Sequence, residues 1–181
     1  MNSNIILSVI NKEKYSILAD SLPHRDILDL MIVYRNVTET SDEGFFSVLV
    51  NNDMMHTLGM TEEELYEKAK ENTDRLMPGS LEKIDRDFYV LSNSYRIFGA
   101  VEAFTGDEPG RLAEQYENSL YILPSSIHEV FIIPDYGQGA AYLRSVVREA
   151  NRSVVKEKEV LSDEVYYYDY DERIIKIADE D

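Results

Sequence analysis

Ser125, Ser126, His128 and Glu129 place two hydroxyls, an imidazole and a carboxylate in one short stretch, Pro124-Ser125-Ser126-Ile127-His128-Glu129, between apolar runs at 120–123 and 130–133. These are the residue types of a serine nucleophile, its general base and the acid that orients the base. Adjacency is not a triad, however. On an extended chain His128 and Glu129 point to opposite sides of a sheet, so the carboxylate cannot orient its neighbour's ring. No Gly-x-Ser-x-Gly elbow lifts either hydroxyl clear of the backbone. The competing reading is a turn at Pro124-Ser125-Ser126, with hydroxyls answering local backbone groups, and this is the one we expect. No residue is therefore assigned as catalytic. A serine hydrolase using Ser125 or Ser126 with His128, and a distant carboxylate such as Asp26 or Asp29, is the rival.

Metal and phosphate chemistry find less support. Ile132 stands where a His-Glu-x-x-His helix needs its second imidazole. His24 and His56 lie in separate segments, and the chain has no cysteine, which removes thiolate ligands, disulfides and thiol nucleophiles. Gly137-Gln138-Gly139 matches neither a Rossmann nor a P-loop spacing and reads as a loop. No metal and no cofactor are expected.

Two further patterns are candidates for contact with a partner. Arg144, Arg148 and Arg152 recur every four residues along an apolar-striped helix, as a basic stripe that pairs either with the protein's own carboxylates or with an acidic partner. Tyr166, Tyr167, Tyr168 and Tyr170 cluster near the C-terminal end, where some must be core and the rest can offer rigid amphipathic area to another protein, with Tyr166, Tyr168 and Tyr170 as the candidates.

Composition narrows the classes. The chain has 181 residues and a formal charge of -17, from 35 acidic against 18 basic side chains. Such a charge repels a phosphate backbone, so direct nucleic-acid binding is not expected. An acidic mimic of nucleic acid, occupying a basic partner, is a second rival, and the acids are enriched at Asp163, Glu164, Asp169, Asp171, Glu172, Asp179, Glu180 and Asp181. No apolar run approaches the roughly 20 residues that span a bilayer, and the start lacks the basic residues of a secretory signal, so a cytoplasmic location is expected.

The elements that must position these residues read as follows. Ile5, Ile6, Val9 and Ile10 suggest a short opening helix. Residues 26–37 alternate as one strand, and Glu43-Gly44 turns the chain into a second strand at 45–50 that can pair with it. Thr61 caps a helix with Glu64 in a capping box, Met60 and Leu65 stand where a hydrophobic staple needs them, Leu65, Ala69, Asn72 and Leu76 share its face, and Pro78-Gly79 stops it. Strands follow at 88–91 and 97–104, with Gly99 as a bulge, then a helix at 111–117, strands at 120–123 and 128–133, a helix from Ala140 carrying Leu143, Val146, Val147, Ala150 and Val154, and a terminal hairpin at 165–168 and 173–177. Strand pairs interrupted by single helices indicate an α+β fold, a mainly antiparallel sheet with helices packed against it, in a single domain over residues 1–181.

The strings Leu-Pro-Ser-Ser-Ile-His-Glu-Val at 123–130, Pro-His-Arg-Asp-Ile-Leu-Asp-Leu at 23–30, Val-Leu-Ser-Asp-Glu-Val-Tyr at 160–166 and the segment 61–73 resemble a bacterial domain family of unknown function associated with anaerobic gut bacteria. The resemblance extends over most of the chain. Its members often carry sequence ahead of the matched part, which implies a short member or a piece of a longer one. It implies no activity and transfers no functional residue. The expectation is a non-catalytic protein-interaction or regulatory module whose partner is a protein.

Overall fold

The opening run Ile5-Ile6-Leu7-Ser8-Val9-Ile10 is a strand, β1 (Ile5–Asn11), and not the expected helix, in the computed structural model, which describes residues 4–40 and 44–179. The reason is burial on both faces. Residues 5–10 are all buried, so the strand shows none of the polar alternation that would separate it from a helix. Contacts along the chain fall into two units, 1–78 and 79–181, described in turn.

In the first unit a short helix α1 (Ser16–Ala19) leads to β2 (His24–Ile27), and the long β3 (Leu30–Thr40) follows. The single strand expected over 26–37 is thus a hairpin, with Ile27 opposite Leu30. Its two connecting residues are Leu28 and Asp29, and Leu28 sits at φ 54 without glycine or asparagine to announce the turn. β3 is the spine: β1 pairs along one edge, while β2 and then β4 (Gly44–Leu49) pair along the other, all antiparallel. The β3–β4 pairing matches expectation; the turn at Glu43-Gly44 lies partly outside the described residues.

After α2 (Asn52–Thr57) comes α3 (Glu62–Leu76), opened by the expected capping box. Thr61 N–H donates to Glu64 Oε2 at 2.9 Å, and Glu64 N–H returns to Thr61 Oγ1 at 3.3 Å. Its buried face holds Leu65 and Ala69 but also Asn72 and Thr73. Those two polar groups close the outer edge of β1: Leu7 N–H donates to Thr73 Oγ1 at 2.8 Å, and Asn72 Nδ2 donates to the Ile5 carbonyl at 3.0 Å. A helix side chain thus stands in for a missing strand, which protects an edge otherwise open to pairing. Thr73→Val keeps the shape but leaves the Leu7 N–H unanswered in the interior, and urea denaturation is expected to show a loss of about 1–2 kcal/mol.

The start of α3 is tied to β2 by Arg25. Its guanidinium meets Glu62 (Nε to Oε1, 2.9 Å) and Glu63 (Nη2 to Oε2, 2.5 Å) and lies 3.6 Å from the centroid of the Tyr66 ring. The buried Tyr34 hydroxyl donates to Glu62 as well. Desolvation pushes the Glu62 carboxyl up, but the bonds from Arg25 and Tyr34 outweigh it and hold the group below its ordinary range.

The second unit is a six-stranded antiparallel sheet in the order β10-β9-β7-β8-β6-β5. Its elements are β5 (Gly79–Asp85), β6 (Phe88–Asn93), a 3-10 turn at Gly99–Val101 running into α4 (Glu102–Thr105), α5 (Glu108–Tyr116), β7 (Leu120–Pro124), β8 (Val130–Pro134), α6 (Ala140–Ser153), β9 (Tyr166–Asp169) and β10 (Ile174–Ile177). Alternate residues face two helical layers. Tyr121, Leu123, Phe131, Ile133 and Tyr167 pack with Ala140, Leu143 and Val147 of α6. On the other side Tyr166 meets Phe104 of α4 edge-on at 5.3 Å, and Tyr89 meets Tyr116 of α5 at 6.2 Å. The fold is α+β, as the strand-pair pattern indicated.

Two expectations are corrected here. Residues 97–104 are not a strand: they form the 3-10 turn and α4, and Gly99 is no bulge but a point of close approach, where a Cβ would lie 2.5 Å from Asn93 N and 2.4 Å from Ser92 Oγ. β5 went unseen because it is an edge strand with most of its residues exposed, including Glu82, Lys83 and Asp85, and so lacks an apolar face to read. Among the described residues no helix is long and apolar enough to cross a membrane. Glu180 and Asp181 of the acidic C-terminal enrichment lie outside the described residues.

Candidate functional site

The Ser-Ser-Ile-His-Glu segment is the connection of the β7–β8 hairpin, whose last strand pair is Pro124 with Val130. Apolar runs on both sides pair as strands, so the polar residues between them are left to make the bend. Ser126 N–H donates to the Glu129 carbonyl at 3.1 Å, and the Ser126 hydroxyl accepts from His128 N–H at 3.0 Å. The hydroxyl thus closes a local turn of the kind serine favours. Ser125 is half-buried in the same connection.

The connection is also fastened from outside. Ser92 Oγ donates to the His128 carbonyl at 2.7 Å, Ala100 N–H reaches the Ile127 carbonyl at 3.4 Å, and Ile127 N–H donates to the Glu159 carbonyl at 2.9 Å. Most telling is the imidazole: His128 Nδ1 accepts the backbone N–H of Phe98 at 3.1 Å, with the Phe98 ring 5.7 Å away. An Nδ1 that accepts a hydrogen bond carries no proton, so the neutral ring holds its proton on Nε2. A general base in a serine triad has the opposite arrangement, with Nδ1–H held by a carboxylate and Nε2 open toward the hydroxyl. Glu129 turns instead to Arg96 at 3.7 Å, and Arg96 also pairs with Glu82. Asp26, one of the distant carboxylates in the hydrolase reading, is engaged by Lys12 at 2.5 Å and His24 at 3.7 Å. The imidazole of His24 also contacts the Leu22 carbonyl through Nδ1 at 2.8 Å, and His56 sits in the last turn of α2.

The arginine stripe divides. Arg144 does not belong to a docking surface: it is 5% exposed, with Nε on Glu164 Oε2 at 2.7 Å and Nη2 on the Ala178 carbonyl at 2.7 Å. Arg148 lies at the edge of the same pair, 3.5 Å from Glu164, and Arg152 is exposed with Nε on the Arg148 carbonyl at 3.2 Å. What the outward side of α6 does present is Tyr142, 65% exposed, and Val146, 43% exposed, four residues apart and so on one face.

The tyrosines divide in the same way. Tyr166 is fully buried and unavailable to a partner. Tyr168 is half-buried with its hydroxyl against Gly110, where a Cβ would lie 3.0 Å from it. Tyr170 is half-buried and its N–H donates to Ser119 Oγ at 3.0 Å. Tyr167 faces the opposite way from Tyr166, donates to Asp135 Oδ2 at 2.8 Å, and is pushed above the ordinary phenol range first by desolvation and then by that carboxylate. Sequence reading missed Asp87, which accepts from Tyr116 at 2.7 Å while Tyr116 and Tyr89 hydroxyls meet at 2.8 Å. Among the described residues no three or more His, Asp or Glu side chains are grouped to hold a metal ion.

A family model described as "Family of unknown function (DUF5688)" matches residues 1–87 and 82–170. No curated protein and no solved structure matches the chain.

Proposed function

The chain belongs to this family of unknown function, and on that premise we propose that it is a non-catalytic cytoplasmic module that works by binding another protein. The observation that carries the reading is the commitment of the hairpin's functional atoms. Ser126 Oγ closes its own turn and His128 Nδ1 holds the Phe98 amide, so the residue types of a hydrolase serve to fix a loop. Tyr142 and Val146 supply the complementary support: an aromatic and an aliphatic side chain lie uncovered on α6, with Arg148 and Arg152 on the same helix. Aromatic side chains and arginines are the types favoured at protein interfaces, and here the two arginines lie roughly 80–160° round the helix from the Tyr142–Val146 face, bordering it rather than sharing it.

Affinity capture from a native lysate tests this reading. The unaltered chain is expected to retain a partner that is lost when Tyr142→Ala and Val146→Ser are combined, and weakened when Arg148→Ala and Arg152→Ala are combined. Retention of every partner by both variants contradicts the assignment of this face. Turnover in an esterase, phosphatase and nuclease panel, abolished by His128→Ala with thermal unfolding unchanged, would replace the binding reading by the hydrolase one.

A further inference from the structure

We propose that the outer edge of β4 pairs with β4 of a second copy of this chain, joining two first-unit sheets into one antiparallel sheet. This surface does not depend on the α6 face. β4 pairs with β3 on one side, and among the described residues no strand pairs on its other side. Val50 N–H donates to the Tyr34 carbonyl at 2.9 Å, which fixes the phase of that ladder. Val48 opposite Asn36 and Phe46 opposite Thr38 therefore direct their backbone groups at β3, while Ser47 and Leu49 turn theirs outward. Phe46 and Val48, two residues apart and so on one face, are 62% and 40% exposed.

The other strands that end a sheet among the described residues carry a guard against such pairing. β1 is closed by Asn72 and Thr73, β2 carries Arg25 and Asp26, β5 carries Glu82, Lys83 and Asp85, and β10 carries Lys176. β4 reads Gly-Phe-Phe-Ser-Val-Leu, with no charge and no proline. The strand that fits this edge is itself uncharged, with apolar side chains two residues apart on one face, and β4 meets both conditions. The register is self-complementary as a two-fold contact requires. With Ser47 opposite Ser47 of the second copy, the outward N–H and carbonyl groups of the two residues exchange bonds. Phe46 then lies opposite Val48 of the second copy, a close pair that the symmetry repeats. A centre on Phe46 or Val48 fails, because their backbone groups face β3.

The test is analytical ultracentrifugation of the full chain over a range of concentrations, where a reversible monomer–dimer equilibrium is expected. Added sodium chloride should tighten it, because each copy carries a formal charge of -17 and salt screens their repulsion. Phe46→Lys is expected to weaken the dimer about tenfold, since it removes the Phe46–Val48 pair twice over and places a cation on each edge. Should Phe46→Lys fail to fold, Val48→Lys replaces it with the same expectation. Ile84→Lys on β5 and Ile174→Lys on β10, at exposed apolar residues of the other unit's two edges, are the controls and should leave dimerisation unchanged. The register has its own readout. The chain has no cysteine, and facing residues of a hydrogen-bonded pair stand about 5.5 Å apart at Cα, within reach of a disulfide, so Ser47→Cys is expected to oxidise to a covalent dimer. A chain that stays monomeric at every concentration overturns the proposal, and a lysate protein bound to that monomer would give the edge to another protein's strand. It is also overturned if either control weakens the dimer as much as Phe46→Lys does, or if Ser47→Cys dimerises without forming the disulfide under an oxidant.

Discussion

Arg144→Ala is expected to lower the stability of the chain by about 3 kcal/mol, at the lower end of what breaking one side of a buried ion pair costs. Three losses combine. The Glu164 carboxylate loses its 2.7 Å partner, the Ala178 carbonyl loses its donor, and the aliphatic stem of Arg144 leaves the layer in which Leu143 and Val147 pack on the sheet. Glu164 is 30% exposed and keeps Arg148 at 3.5 Å, which is why the loss should stay at the low end. Arg148→Ala is the control and should cost under about 1 kcal/mol, since it removes a longer and more exposed contact. Equal effects of the two substitutions in urea denaturation would show that α6 is not anchored through Arg144.

Gly99→Ala is expected to cost about 2 kcal/mol or more and to loosen the hairpin connection along with the 3-10 turn. A methyl group at this position would sit 2.5 Å from Asn93 N and 2.8 Å from the Ser92 carbonyl carbon, and backbone cannot swing aside as a flexible side-chain end can. The consequences reach His128, because Ser92 holds its carbonyl and Phe98, next to Gly99, holds its imidazole. Hydrogen exchange should therefore speed up at Phe98 and Ala100 as well as across 126–129. A variant as stable as the parent, with unchanged exchange at these amides, would mean that the approach of the turn to β6 is looser than described.

How much of this was readable beforehand depended on how local the cause was. The capping box of α3 was legible because Thr61 and Glu64 complete it within one turn, and the hairpin connection at Ser125-Ser126 was legible because apolar runs flank it. β1 was not, since a strand buried on both faces and covered at its edge by Asn72 and Thr73 leaves no alternation to detect. The turn at Leu28-Asp29 has no glycine, asparagine or proline and sets a leucine at positive φ, so two strands read as one.

The arginine stripe misled for a geometric reason. A four-residue step in an α-helix advances by about 40°, so Arg144, Arg148 and Arg152 are not on one line. The first stands beside Leu143 on the packed side, and the last has rotated into solvent. Spacing gave a period without its phase relative to the core. The partner of His128 was hidden in another way: the Phe98 amide is 30 residues distant in the chain, and only the approach of the 3-10 turn to the hairpin brings it within reach.

The most direct test of the account is the protonation state of that ring. Long-range ¹H–¹⁵N spectra of the imidazole at neutral pH are expected to show His128 as the Nε2–H tautomer, with Nδ1 in the chemical-shift range of an unprotonated, hydrogen-bonded nitrogen. A ring protonated on Nδ1 with an open Nε2, the form a general base requires, would contradict it.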